Sequence, residues 1–243
     1  MAGVMLITGS SRGIGAATAR LAAERGYKVC VNYVRDRAAG EALARDIGGI
    51  AVGGDVSVEA DVVRMFAEMD RRLGRLTVLV NNAGVVDVAA RVAEMSAARL
   101  ERMFAINVTG SFLCAREALK RMSTRHGGAG GSIINLSSVA ARIGAPAMYV
   151  DYAAAKGAID TMTLGLSKEL GGEGIRVNAV RPGVIRTEIH ASSGDPGRAE
   201  RIGATAPLGR AGDAEEIARA ILWLASDEAS YVSGAILDVS GGR

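Results

Sequence analysis

Seven short β-branched runs alternate with six stretches of helical periodicity, and this alternation restricts the fold more than any other feature of the chain. The runs lie at 4–8, 27–32, 50–54, 76–81, 132–136, 175–180 and 235–239. The helical patterns lie at 14–25, 37–47, 59–73, 97–125, 152–170 and 214–225. The runs are almost continuously apolar, as strands covered on both faces must be. The prediction is an α/β fold, a doubly wound, seven-stranded parallel sheet with helices on both faces. With 243 residues, 49% of them apolar, the chain can bury the core of one domain spanning 1–243. No apolar run approaches the ~18–20 residues of a membrane span. The opening residues 1–7 run straight into a glycine-rich turn and read as a first strand rather than a signal peptide.

Two segments break the alternation. Residues 84–95 read as a loop closed by Ser96 as a helix N-cap. The long segment 183–213 carries Gly194, Pro196, Gly197, Gly203, Pro207, Gly209 and Gly212. Loops of this length in a compact domain serve as lids or binding loops, and this one leaves the carboxyl end of a strand, where open α/β sheets bind ligands. About 184–212 is therefore read as a substrate lid, with His190 a solvated loop histidine within it.

The turn Thr8-Gly9-Ser10-Ser11-Arg12-Gly13-Ile14-Gly15 follows the first strand and opens a helix. Glycine permits the positive φ of so sharp a turn. Bare backbone and an unpaired helix N-terminus then suit a phosphate. In a chain with 32 glycines the spacing means little by itself, and its placement between strand and helix carries the reading. The second strand ends at Asn32 and Tyr33 without the carboxylate that would take an adenosine ribose. Arg12 and Arg35 are placed instead to grip a 2′-phosphate through their planar forks, unless Asp36 neutralises Arg35. The expected cofactor is NADP in preference to NAD.

Tyr152 and Lys156 stand four residues apart, on one face of a helix. A neighbouring ammonium favours a phenolate and is expected to lower the tyrosine pKa, making the phenol a general acid/base. Tyr149 has Ala153 four residues on and lacks such a partner. Ser138 ends a strand on the same edge and can donate to a substrate oxygen.

On these residues the chain resembles the short, single-domain branch of the short-chain dehydrogenases/reductases, over essentially its whole length. The resemblance also rests on Asp55-Val56, Asn81-Asn82-Ala83-Gly84, Asn107, Arg181-Pro182-Gly183 with Thr187, and Tyr231-Val232-Ser233-Gly234. It looks most like bacterial oxidoreductases near the glucose dehydrogenase and 3-oxoacyl-[acyl-carrier-protein] reductase groups. The resemblance implies a Rossmann-like fold and hydride transfer between a nicotinamide and a carbonyl or secondary alcohol. It implies Tyr152 as acid/base, Lys156 on the nicotinamide ribose, Ser138 on the substrate oxygen, and Asn107 completing a proton relay from a kinked helix. It places Asp55 and Val56 at the adenine, and Asn82, Ala83 and Gly84 along the ribose and nicotinamide. Pro182, Gly183, Ile185 and Thr187 would receive the nicotinamide. Asn81-Asn82-Ala83-Gly84 could equally serve to pin the central strand. Ser138 lies fourteen positions before Tyr152, where the family more often shows thirteen, and Ser137 is the alternative serine.

The substrate is read as a small molecule, a sugar, polyol or small ketone. A 3-oxoacyl-[acyl-carrier-protein] reductase is the alternative; Lys120, Arg121 and Arg125 offer part of the basic patch it needs, and Glu173 counts against it. A non-catalytic NADP-binding sensor is the alternative from another class. The net charge of +3 is scattered, without the basic stripe that nucleic acid requires. Two cysteines and two histidines lack metal-ligand spacing. Cys30 and Cys114 in apolar stretches suggest buried thiols and a cytoplasmic setting. Met103, Phe104, Phe112, Leu113, Met162 and Leu166 are candidates for apolar surface on the two long helices. The family builds its interfaces there, so a homotetramer is expected.

Overall fold

The computed structural model describes residues 3–188 and 197–243; the middle of the expected lid, including His190, lies outside them. Seven parallel strands form one sheet: β1 (Val4–Ile7), β2 (Lys28–Tyr33), β3 (Ile50–Gly53), β4 (Leu76–Asn81), β5 (Gly131–Leu136), β6 (Ile175–Pro182) and β7 (Ile236–Val239). Their order is β3-β2-β1-β4-β5-β6-β7. The chain winds outward from β1 to β3 and returns to lay β4 on the other side of β1. The loops leaving β1 and β4 therefore diverge and open a crevice at their carboxyl ends. This is the Rossmann-like sheet that the alternation predicts.

Alternate residues of each strand feed two separate cores. Val4, Leu6, Val177 and Ile133 pack under α3 (Glu59–Leu73), α5 (Gly110–Met122) and α7 (Val150–Leu170). Met5, Ile7, Val31, Val80 and Ile134 pack under α1 (Gly13–Glu24), α2 (Arg37–Asp46) and α9 (Ala214–Ala225). Helix starts follow local chemistry. Asp36 accepts from the Ala39 N–H at 2.9 Å to cap α2. Ser96 accepts from the Arg99 N–H at 3.2 Å to cap α4 (Ala97–Phe104), as its sequence position predicts. Asp213 and Glu216 form a capping box at α9.

The single helix predicted over 97–125 is interrupted. A π-helical turn, Ala105–Thr109, separates α4 from α5, and α5 ends at Met122. Periodicity alone does not register one inserted residue in a helix that continues on both sides. Met103 and Met162 are buried in the domain, which corrects their assignment to an oligomer face; Phe104 and Phe112 are exposed. Two short helices flank the crevice, α6 (Ala140–Ile143) and α8 (Arg198–Gly203). No helix among the described residues is long and apolar enough to cross a membrane.

Candidate active site

The glycine turn is held from three sides. Gly9 and Gly13 have φ of +60° and +56°, a left-handed backbone that side chains disfavour. Gly15 answers a different need, since a Cβ there would stand 2.6 Å from Asn82 Nδ2. Thr8 Oγ1 accepts from the N–H groups of Asn82 and Ala83, both at 3.0 Å. Asn82 Nδ2 donates to the carbonyls of Thr8 at 2.8 Å and Gly9 at 3.0 Å. Asn32 Oδ1 accepts from the Gly9 N–H at 2.9 Å, and its Nδ2 donates to the Gly54 carbonyl at 3.0 Å. Asn32 is fully buried, so the expectation that it faces a cofactor is corrected: its carboxamide is spent on bracing the turn. Thr8 and Ser10, whose hydroxyl donates to the Ile7 carbonyl at 2.7 Å, were not singled out from sequence. Short polar residues beside a glycine turn give no warning of which backbone groups they will reach.

Above this turn runs a cleft of about 1050 Å³. Gly9, Ser11, Arg12, Gly13 and Ile14 line one end with Tyr33, Arg35, Asp55 and Val56; Gly15 lies just beneath. Arg12 and Arg35 are exposed and form no ion pair among the described residues. Asp36 is occupied as the α2 cap. Asp55 accepts from the Ser57 N–H and hydroxyl at 2.9 and 2.7 Å.

Asn82, Ala83 and Gly84 form the middle of the wall. The strand end below is pinned by amides: Asn81 Nδ2 donates to Asn135 Oδ1 at 3.0 Å, and Asn135 Nδ2 donates to Thr163 Oγ1 at 2.9 Å. Asn107 sits in the π turn, fully buried. Its Oδ1 accepts from the Val85 N–H at 3.1 Å, and its Nδ2 donates to the Val85 and Met103 carbonyls at 3.0 Å. Asn107 therefore grips the peptide after Gly84 in both directions and does not line the cleft. A Cβ on Gly84 would stand 2.7 Å from Asn107 Oδ1 and 3.5 Å from Lys156 Nζ, so these groups converge on one point.

At the far end, helix α7 presents Tyr152 and Lys156, and the end of β5 presents Ser138. Ser138 is close enough to the Tyr152 phenol to act on its pKa, and its Oγ accepts from the Ala140 N–H at 3.1 Å. In the loop between Ser138 and Tyr152, Ala145 and Ala147 take φ of +42° and +58°. Ser137 is buried, and its hydroxyl donates to the Lys156 carbonyl at 3.2 Å. Lys156 Nζ lies 5.6 Å from the centre of the Tyr152 ring and donates to the Leu136 carbonyl at 2.6 Å. The expected lowering of the phenol pKa by this ammonium is not what the structure gives. Burial pushes Tyr152 above its usual range, and only Ser138 opposes it. Burial also pushes Lys156 down to about 8, partly offset by Asp160. Desolvation outweighs the pairing read from the spacing.

Pro182, Gly183, Ile185 and Thr187 lie on the remaining wall. Ile185 pairs with Gly212, closing the base of the lid segment. Thr187 Cγ2 is 3.4 Å from where a Cβ on Gly13 would be, so the lid base reaches across to the glycine turn. The cleft thus joins a phosphate-ready backbone and two unpaired guanidiniums to a phenol, hydroxyl and amine. These residues fit a dinucleotide laid from the glycine turn towards Tyr152.

The comparisons agree with this geometry. A family model described as enoyl-(acyl carrier protein) reductase matches residues 9–243. An uncharacterised oxidoreductase of Escherichia coli (strain K12), YgfF, is 52% identical over 245 residues, covering 99% of both chains. The 2-(S)-hydroxypropyl-CoM dehydrogenase 3 of Xanthobacter autotrophicus is 38% identical, covering 98% of this chain and 95% of its own. Among solved structures, 3-ketoacyl-(acyl-carrier-protein) reductase from Brucella melitensis, complexed with NADH, superimposes with a TM-score of 0.92 at 31% identity. That match covers 99% of this chain and 97% of the other. A parallel sheet that opens at β1 and β4, and full-length likeness to dehydrogenases and reductases, make the chain an oxidoreductase of the short-chain dehydrogenase/reductase family, with a nicotinamide cofactor.

Proposed function

We propose that the protein is an NADP(H)-preferring reductase of small carbonyl compounds, working reversibly as a secondary-alcohol dehydrogenase. The observation that carries this reading is the gathering of Tyr152, Ser138 and Lys156 at one end of the cleft that the glycine turn opens. A bound nicotinamide supplies or accepts the hydride. Tyr152 supplies the proton: its burial keeps the phenol protonated at neutral pH, the state that carbonyl reduction consumes. Ser138 donates to the oxygen on which negative charge develops. Lys156 holds the nicotinamide ribose hydroxyls, and Asn107 positions Gly84 and Val85 as the floor of that site. Arg12 and Arg35, free of acid partners, take the adenosine 2′-phosphate.

Tyr152→Phe should lower NADPH-dependent turnover on a panel of sugars, polyols and small ketones by about 10²–10⁴-fold while leaving NADPH affinity within about twofold. Full turnover by this variant would end the proposal. Arg35→Ala should weaken NADPH by roughly tenfold with little change for NADH, measured by fluorescence titration; an equal effect on both cofactors would remove the argument for NADP.

The carrier-protein reading loses its docking patch. Lys120 pairs with Glu117, Arg121 with Asp70 and Glu117, and Arg125 with Glu173. A sensor would not need Tyr152, Ser138 and Lys156 gathered on one cleft. Cys30 and Cys114 are buried free thiols, both pushed up to about 12, which suits a cytoplasmic setting. Phe104 and Phe112 on α4 and α5, and Leu164 on α7, are exposed large apolar side chains. In this reading they bury one another in a homotetramer.

A further inference from the structure

Arg198, at the start of α8, lines the same cleft as Tyr152, beyond the residues assigned above. Its guanidinium stands over the Tyr149 ring, 4.9 Å from the ring centre. Tyr149 is itself 5% exposed, so the guanidinium rests on a fixed platform. One terminal nitrogen of Arg198 is buried and has no hydrogen-bond acceptor among the described residues. A buried guanidinium nitrogen left without an acceptor is costly, and native structures normally supply one.

The acids on the cleft wall do not supply it. Asp36 caps α2, Asp55 is taken by Ser57, and Asp87 pairs with Arg102 at 3.4 Å. Glu188 faces the glycine turn, its carboxylate 3.8 Å from where a Cβ on Gly13 would be. The contact with the ring leaves that nitrogen without an acceptor, and a carboxylate is the partner a guanidinium takes through charge-assisted hydrogen bonds. Tyr149, the residue that precedes α7, and Tyr152 in its first turn both line the cleft. An anion held by Arg198 therefore lies in the same cleft as the proton donor. The cleft wall also carries the apolar side chains of Ile143, Ala145 and Val184.

We infer that Arg198, seated on Tyr149, is the specificity residue for a substrate carboxylate. The substrate class is then a small oxo acid, or the matching hydroxy acid, with an apolar body between carboxylate and carbonyl. This narrows the reductase reading and rests on it for the identity of the reacting group. The binding claim itself does not need turnover.

The test measures binding of 4-oxopentanoate and 4-oxocyclohexanecarboxylate, each against its methyl ester, to NADP⁺-saturated enzyme by ligand-observed NMR. At least one acid should bind roughly 10- to 100-fold more tightly than its ester, the range of a charge-assisted hydrogen bond. Arg198→Gln should bring that ratio close to one, and Arg198→Lys should retain part of it. Tyr149→Leu, which removes the platform and keeps the charge, should also reduce the ratio; it provides the reading if Arg198→Gln does not fold. Equal binding of acid and ester, no binding of either acid, or a loss confined to NADP⁺ affinity in Arg198→Gln would each overturn the inference. Arg198-dependent acid binding without NADPH oxidation would overturn the reductase reading alone.

Discussion

Lys156 shows how one side chain sets the character of the site. The residue is 4% exposed, and the hydrogen bond of its ammonium to the Leu136 carbonyl does not replace lost water. The sign of the resulting pH dependence follows directly. Below about pH 8 the folded and unfolded chains both carry the proton, and the folded state bears the full desolvation cost. Above that, the folded protein sheds the proton while the unfolded chain keeps it up to its ordinary value of 10.5. Stability should rise between about pH 8 and 10.5, by at most about 3 kcal/mol. Urea unfolding of wild type against Lys156→Met across this range measures it, and parallel curves would contradict it. The pairing of Tyr152 with Lys156 was legible from a four-residue spacing. The direction of the phenol's shift was not, because spacing gives proximity and says nothing of how much water burial removes.

At the scale of elements, α4 and α7 are joined by one buried ion pair. Asp151 accepts from Arg99 Nε at 2.8 Å, with the two side chains 0% and 10% exposed. Arg99 also donates to the Val88 carbonyl at 2.8 Å, so the same guanidinium holds the loop after β4. Asp151→Ala leaves that charge buried without its partner and should cost about 3–5 kcal/mol, read from denaturant midpoints. A loss below about 1 kcal/mol would mean that the pair behaves as a surface bridge. The helix and strand alternation that built these elements was plain in the sequence. The π turn at Ala105–Thr109 and the left-handed Ala145 and Ala147 were not. The π turn is a local departure tied to a contact with a distant segment, since Asn107 within it grips Val85.

For the molecule as a whole, exposed apolar side chains on α4, α5 and α7 carry the assembly prediction. Phe112 is 48% exposed on α5. Phe112→Asp should shift the species seen by light scattering from tetramer to a smaller one at micromolar concentration, with the monomer fold intact by circular dichroism. A wild type that is already monomeric would defeat it. The alternating runs by themselves determined the sheet, its doubly wound order and the place of the crevice, because strand burial on both faces and right-handed crossovers leave few other solutions. The glycine turn and the Tyr152–Lys156 spacing marked two ends of that crevice, and both line the cleft. Tertiary structure alone decided what each side chain does there. Asn32 and Asn107 became braces beneath the cleft, the phenol lost water rather than gaining a counter-charge, and Arg198 came to rest on Tyr149. Those outcomes depend on contacts between segments far apart in the chain, and on burial that no local pattern encodes.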